Sequence, residues 1–259
     1  MKQITARLVI LILFNVFALA TIAQKEIYEI RVYSLSSDEQ MAATDMYLKD
    51  AYLPAMHRLG IKQIGVFKPI ANDTALMKKI YVIVPYVSLE IWRKTKSNLG
   101  ADAVHVEAAK SFTDADTAHL PYSRVESMLL DAFPDQTKLI PTTLKLNPDA
   151  IYELRSYESP TEKLHQLKVK MFNDGDEIKL FKKLDFQALF YGDVLSGSRM
   201  PNLVYMVVFA NQAAKEEHWK SFLSSKEWKK VSVDPVYENN ISVSHIDSTP
   251  MHRTAYSDL

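Results

Sequence analysis

The sequence predicts an α+β fold: two tandem ferredoxin-like βαββαβ units that close on each other within one chain as an intrachain dimeric α/β barrel. Three observations carry this. Ile27-Tyr28-Glu29-Ile30-Arg31-Val32-Tyr33 recurs as Ile151-Tyr152-Glu153-Leu154-Arg155-Ser156-Tyr157, with five of seven positions identical at an offset of 124. The same gapless offset pairs Asp50 with Asp174, Gln63 with Gln187, Tyr81 with Tyr205 and Val84 with Val208, which points to duplication. Each half also shows the same order of elements. Finally, such a unit covers one sheet face with its two helices and must bury the other against a partner, here the second half. Two four-stranded sheets closed in this way leave space for side chains or one small ligand.

The elements follow in order. Residues 27–33 alternate and are rich in Ile, Val and Tyr, the pattern of a strand. Residues 38–58 place Met41, Met46, Leu48, Tyr52, Leu53 and Met56 at helical spacing, with Pro54 expected to end or kink the helix. Residues 61–70 and 76–86 read as strands joined by a turn at Asn72-Asp73. A helix over 88–110, broken near Gly100, and a strand over 122–130 complete the first unit. The second repeats this: strand 151–157, helix 161–183, strands 185–195 and 203–210 with Gly197 in their hairpin, helix 212–224 and strand 236–245. Pro134, Pro141 and Pro148 mark a linker over 132–149. The expected domains are therefore 24–131 and 150–247, with a tail over 248–259.

Residues 1–23 read as a secretory signal: Lys2 and Arg7, then an apolar run from Leu8 to Leu19 broken only by Asn15, then Ala18, Ala20 and Ala23. Cleavage after Ala20 or Ala23 would release an exported protein, periplasmic or extracellular, with no membrane attachment. The run is short for a membrane span, which takes about 20 residues.

The 259 residues are 47% hydrophobic and 24% charged, ordinary for a globular chain. Thirty-one basic residues balance 31 acidic ones, so the basic excess of a nucleic-acid binder is missing. Cysteine is absent, which excludes disulfides, thiolate metal sites and thiol nucleophiles. There is no phosphate-binding glycine loop, G-x-S-x-G or dinucleotide fingerprint. The seven histidines show no metal-ligand spacing, so no metal site is expected.

Several segments are similar to the NIPSNAP family. They are Tyr152-Glu153-Leu154-Arg155-Ser156-Tyr157, Lys170-Met171-Phe172-Asn173-Asp174-Gly175, Phe190-Tyr191-Gly192, Arg199-Met200-Pro201-Asn202-Leu203, Trp219-Lys220-Ser221-Phe222 and Thr254-Ala255-Tyr256-Ser257. The first half resembles it more faintly, through Tyr28 to Tyr33 and Leu53-Pro54-Ala55. The resemblance implies the dimeric α/β-barrel superfamily, which holds small-molecule monooxygenases, haem-handling enzymes and proteins of unknown role. It brings no catalytic motif. No cofactor is expected. Haem on a lone histidine, with His57 or His165 near the first helix of each half, is the alternative the resemblance raises.

The repeated strand supplies the candidate site. Alternate side chains leave a strand on opposite faces. The apolar set Tyr28, Ile30 and Val32 is expected under the helices. Glu29, Arg31 and Tyr33, with Glu153, Arg155 and Tyr157, are expected to face the barrel lumen. Arginine offers a planar fork to a carboxylate. The bland reading is paired charges in a filled barrel; the sharper one is a pocket for a small anionic or hydrophobic ligand, with Gln187, Tyr191, Arg199 and Tyr205 contributing. Glu153 as a base is a third, weakened by the neighbouring arginine. Trp219, Phe222 and Leu223 are expected as core, and Asn173-Asp174-Gly175-Asp176-Glu177 as a helix break with solvated carboxylates. The leading function is non-catalytic binding or interaction; the alternative is a barrel enzyme, monooxygenase-like or haem-using, acting on a small hydrophobic molecule. Self-association is open to the chain but not needed to close the barrel.

Overall fold

A computed structural model describes residues 24–259; the signal reading falls on residues 1–23, outside the described residues. The chain runs β1 (Ile27–Leu35), α1 (Asp38–Met46), α2 (Leu53–Arg58), β2 (Gly65–Pro69), β3 (Lys78–Tyr86), α3 (Leu89–Ala101), α4 (Ala103–Thr113) and β4 (Arg124–Ala132). The second half follows as β5 (Ile151–Glu158), α5 (Glu162–Asn173), α6 (Glu177–Lys183), β6 (Gln187–Ser196), β7 (Asn202–Phe209), α7 (Gln212–Ser224), α8 (Lys226–Val231), α9 (Asn239–Ser242) and β8 (His245–Arg253). Among the described residues no helix is long and apolar enough to cross a membrane.

Side-chain caps start the matching helices. Ser37 accepts from the Gln40 amide and Thr161 from the Leu164 amide, Ser88 from Ile91 and Asn211 from Ala214. Each satisfies an amide that the first helical turn would leave unpaired. Pro54 does not end its helix. A π-helical turn over Tyr47–Tyr52 separates α1 from α2, and Pro54 sits in the first turn of α2, where a missing N–H costs nothing. The predicted 161–183 helix divides at Asp176, whose φ of 62° breaks the spiral.

All eight strands form a closed antiparallel barrel in the order β1-β3-β2-β8-β5-β7-β6-β4. Each half contributes a sheet of the same internal order, and β2 with β8 and β4 with β6 seal the two seams. The lumen is packed by residues of both halves, including Tyr28, Ile30, Phe67, Tyr152, Leu154, Phe190 and Met206. Two further cores lie between sheet and helices, one per half.

Three expectations need correction. The last strand is His245–Arg253, not 236–245; the earlier stretch holds a left-handed Glu238 and the short α9. The 248–259 tail is therefore half strand, and its end is buried: Ser257 Oγ accepts from the Val66 amide at 2.9 Å, and Leu259 is 1% exposed. Nor does one gapless offset relate the halves throughout. Arg31 pairs with Val82 whereas Arg155 pairs with Tyr205, so the offset falls from 124 at the first strands to 123 at the third. A one-residue slip reverses a strand's faces. Tyr81 accordingly borders the lumen while Tyr205 lies beneath the helices.

Candidate functional site

The two copies of Glu-x-Arg-x-Tyr point away from the lumen, opposite to the expectation. Tyr28, Ile30 and Val32 belong to the lumenal core, as do Tyr152 and Leu154. Tyr33 packs with Leu48, Tyr52 and Met56 beneath the first-half helices, and Tyr157 with Phe172, Phe181 and Phe222 beneath the second-half ones. The reason is energetic. Both faces of these strands are covered: the middle of the lumen is filled by apolar and aromatic side chains, and the donors that Glu29 and Glu153 use, Tyr86 and Trp219 among them, lie on the helix side. The apolar set therefore goes inward, and the charged set goes where helix side chains can satisfy it.

In the second half, Glu153 is held by many donors. Arg155 Nη1 reaches it at 3.1 Å, Trp219 Nε1 at 2.8 Å, Lys215 Nζ at 3.3 Å, and Ser248 Oγ also donates. Such a carboxylate is a scaffold for the arginine, and this geometry replaces its reading as a base. Arg155 Nε donates to Tyr157 Oη at 3.1 Å, and that hydroxyl is 2.9 Å from Tyr205 Oη. Burial opposes the Arg155 charge, but Tyr205, Tyr157 and Glu153 outweigh it and hold its pKa above the ordinary value. Its Nη2 edge has no acceptor among the described residues.

That edge borders a cavity of about 580 Å³ between the sheet and helices α5 to α9. Trp219, Trp228 and Phe222 wall it, and Lys168, Glu177 and Asn239 supply polar groups. The Arg155 guanidinium lies 4.5 Å from the Trp219 ring centre. Lys168, only 2% exposed, sits 3.3 Å from Glu177 and 3.1 Å from the Asn239 side-chain oxygen, and 5.4 Å from the Trp228 ring centre. Cations over aromatic faces are attracted to the ring quadrupole, which helps hold them in a dry place. Burial pushes the Glu177 carboxyl up, more than Lys168 and Arg155 pull it down. Glu177 is thus a buried partner, not a solvated carboxylate, and Trp219 is a cavity wall that also donates a hydrogen bond.

The first half holds the matching cluster with a different side chain against the arginine. Glu29 accepts from Arg31 at 3.1 Å, Tyr86 Oη at 3.1 Å and Ser127 Oγ at 2.9 Å. Burial raises the Glu29 pKa, but Arg31 and Ser127 outweigh it and set the carboxyl below the usual range. Tyr52 lies against the Arg31 guanidinium, 5.3 Å to the ring centre, where the π turn delivers it; burial, only partly offset by the Arg31 charge, pushes its hydroxyl up to about 12. Thr44, at the 124 offset from Lys168, is fully buried and donates to the Pro121 carbonyl. Counting from the caps Ser88 and Asn211, Trp92 and Lys96 stand where Lys215 and Trp219 do. The tryptophan and lysine have exchanged places.

The other sequence candidates scatter. Tyr191 and Tyr205 are buried in the second-half core, stacked with ring centres 5.6 Å apart. Gln187 is not in the cavity: its side-chain oxygen accepts from Thr142 Oγ at 2.6 Å and the Thr143 amide at 3.0 Å, tying down the linker. Arg199 pairs with Glu158 at 3.0 Å and Asp247 at 2.5 Å, beside a separate 430 Å³ recess at one end of the lumen. Glu158, His245 and Asp247 present ligand atoms within 4.8 Å of one another, a grouping invisible to local spacing; Arg199 is the cation the two carboxylates hold, and His245 lies 3.0 Å from Asp247. His57 contacts Asp258 at 2.8 Å and His165 contacts Asp193 at 2.6 Å. Lys168 and Trp228 were not anticipated. The one available signal was Lys168 inside the apolar helical pattern of 161–183.

The NIPSNAP family profile matches residues 152–258. No curated protein matches the sequence. Among solved structures, a provisional monooxygenase from Lactobacillus acidophilus NCFM is similar, with TM-score 0.56 and 11% identity over 88% of this chain and 94% of that one. An anthrone oxidase-like protein aligns with TM-score 0.56 and 9% identity over 90% and 93%. At these identities the likeness is one of fold. A NIPSNAP family protein from Agrobacterium tumefaciens strain C58 aligns with 42% of this chain and 98% of its own, with 14% identity and TM-score 0.37.

Proposed function

We propose that this chain, a NIPSNAP family protein through its residues 152–258, is an exported, non-catalytic binding protein for a small, largely apolar organic anion. The observation that carries the reading is the open Nη2 edge of Arg155, beside buried Lys168, in an aromatic-walled cavity, where in the first half Tyr52 lies against the Arg31 guanidinium. The volume lies within the roughly 300–1,000 Å³ of ligand sites, and a few convergent polar groups in an apolar wall are how such sites orient a ligand. An anion accepts from the guanidinium fork while its apolar body lies between Trp219 and Trp228. The basic, apolar and small-residue order of 1–23 supports export.

Trp219 and Trp228 make the protein its own reporter. Titration with benzoate, naphthoate and hexanoate is expected to give saturable, mutually competitive changes in tryptophan fluorescence. No saturable change with any of them, and no small molecule retained in native mass spectra of protein from its own host, would contradict the reading.

One observation favours a second reading. The Glu177 carboxyl is pushed up and lines the same cavity, and a carboxyl so tuned suits proton transfer. The chain would then be an enzyme of a small hydrophobic molecule. Consumption of a bound probe that Glu177→Gln abolishes, with binding retained, separates this from simple binding.

A further inference from the structure

The Arg155 cavity does not end at its own rim. Trp219 and Leu223, one turn apart on α7, also wall a neighbouring surface recess of about 650 Å³. Leu223 stands on the divide and is 57% exposed, and Ile246, on the cavity rim, is 47% exposed. Lys215, Lys220 and Lys229 border the second recess. Lysine stems can line an apolar floor while their ammonium groups stay in water. A compact ligand seated on Arg155 would leave Leu223 and the second recess uncovered. A ligand with a flexible apolar chain would cover both.

We propose that the occupant is a long-chain aliphatic carboxylate. Its acid group meets the free Arg155 edge, and its chain leaves over Leu223 to lie in the lysine-bordered recess. This rests on the anion-binding reading of the cavity and names its ligand class. The head group is set inward because Arg155 offers a two-donor fork that a carboxylate fits. The chain is set outward because Trp219 and Leu223, shared by the cavity and the second recess, give it an apolar path from one to the other.

The test is a chain-length series of hexanoate, octanoate, decanoate and dodecanoate, read by tryptophan fluorescence on the full mature chain. Each added methylene is expected to tighten binding about fourfold until the recess is filled, from the transfer free energy of a buried methylene. Leu223→Gln, at a position 57% exposed, should flatten the series beyond octanoate and weaken dodecanoate far more than hexanoate, which reaches only the cavity end of that side chain. Decylamine should bind at least tenfold more weakly than decanoate. Hexanoate binding with no gain on lengthening would overturn the elongated ligand while leaving the anion pocket intact. A chain-length gain equal for decylamine, or untouched by Leu223→Gln, would overturn the proposed path. Binding of none of the acids would overturn both.

Discussion

Lys168 and Glu177 show what a single buried pair contributes. Burial raises the Glu177 pKa despite the ammonium 3.3 Å away, so the fold prefers the neutral acid. A carboxyl raised in this way lends stability that is complete below its ordinary value of 4.5 and is lost as pH climbs through the raised folded value. Glu177→Gln, which stays neutral, should therefore match the wild type in mild acid and become the more stable protein as pH rises. The gap should grow by on the order of 1 kcal/mol per pH unit while Glu177 titrates. Lys168→Met should enlarge the loss and carry it to higher pH, because burial then acts on the carboxyl with less opposition. Urea titrations across pH measure this; a wild type that gains on Glu177→Gln with rising pH would show the pair holding the acid ionised. An ionisable acid buried at a cost in stability as pH rises serves the cavity rather than the core. Neither residue stood out in the sequence as a pair, because nine positions and a helix break separate them.

At the level of elements, alternation located β1 and β5 with their flanking helices, since period two and period 3.6 are direct consequences of backbone geometry. The same alternation left their facing undetermined. Where a strand is covered on both sides, an apolar and a charged set can each be inward, and the partners available on each side decide. β8 was displaced for a different reason. His245-Ile246-Asp247-Ser248-Thr249-Pro250-Met251-His252-Arg253 has few apolar residues and an internal proline, so pairing with β5 and β2, rather than local propensity, makes it a strand. Beyond it, Ser257 supplies the acceptor that the Val66 amide lacks in the short β2 edge. Ser257→Ala leaves that buried amide unpaired and should cost about 1–2 kcal/mol. Thermal unfolding should then shift down by roughly 4 °C, with faster amide exchange at Val66. An unchanged midpoint and unchanged exchange would mean that the tail merely rests on the barrel.

In the whole molecule, duplication supplied two equivalent strands, and divergence gave them different work. Both halves keep the glutamate, the arginine, the tyrosine and a serine on the adjacent strand, Ser127 or Ser248, so the scaffold around each arginine is common. What differs is the cover: Tyr52 from the π turn over Arg31, and an open cavity between Trp219 and Trp228 beside Arg155. The repeat was plain in the sequence, but its consequence was not, because the slip in offset and the π turn change which side chain overlies which arginine. One comparison weighs the functional difference between the halves without removing a charge from either. Decanoate titrations of Arg31→Lys and Arg155→Lys, each checked for wild-type secondary structure, retain the cation and lose the two-point fork. Arg155→Lys should weaken binding about tenfold while Arg31→Lys leaves it as in the wild type; equal losses in the two variants, or none in Arg155→Lys, would contradict a ligand site built on the second half alone.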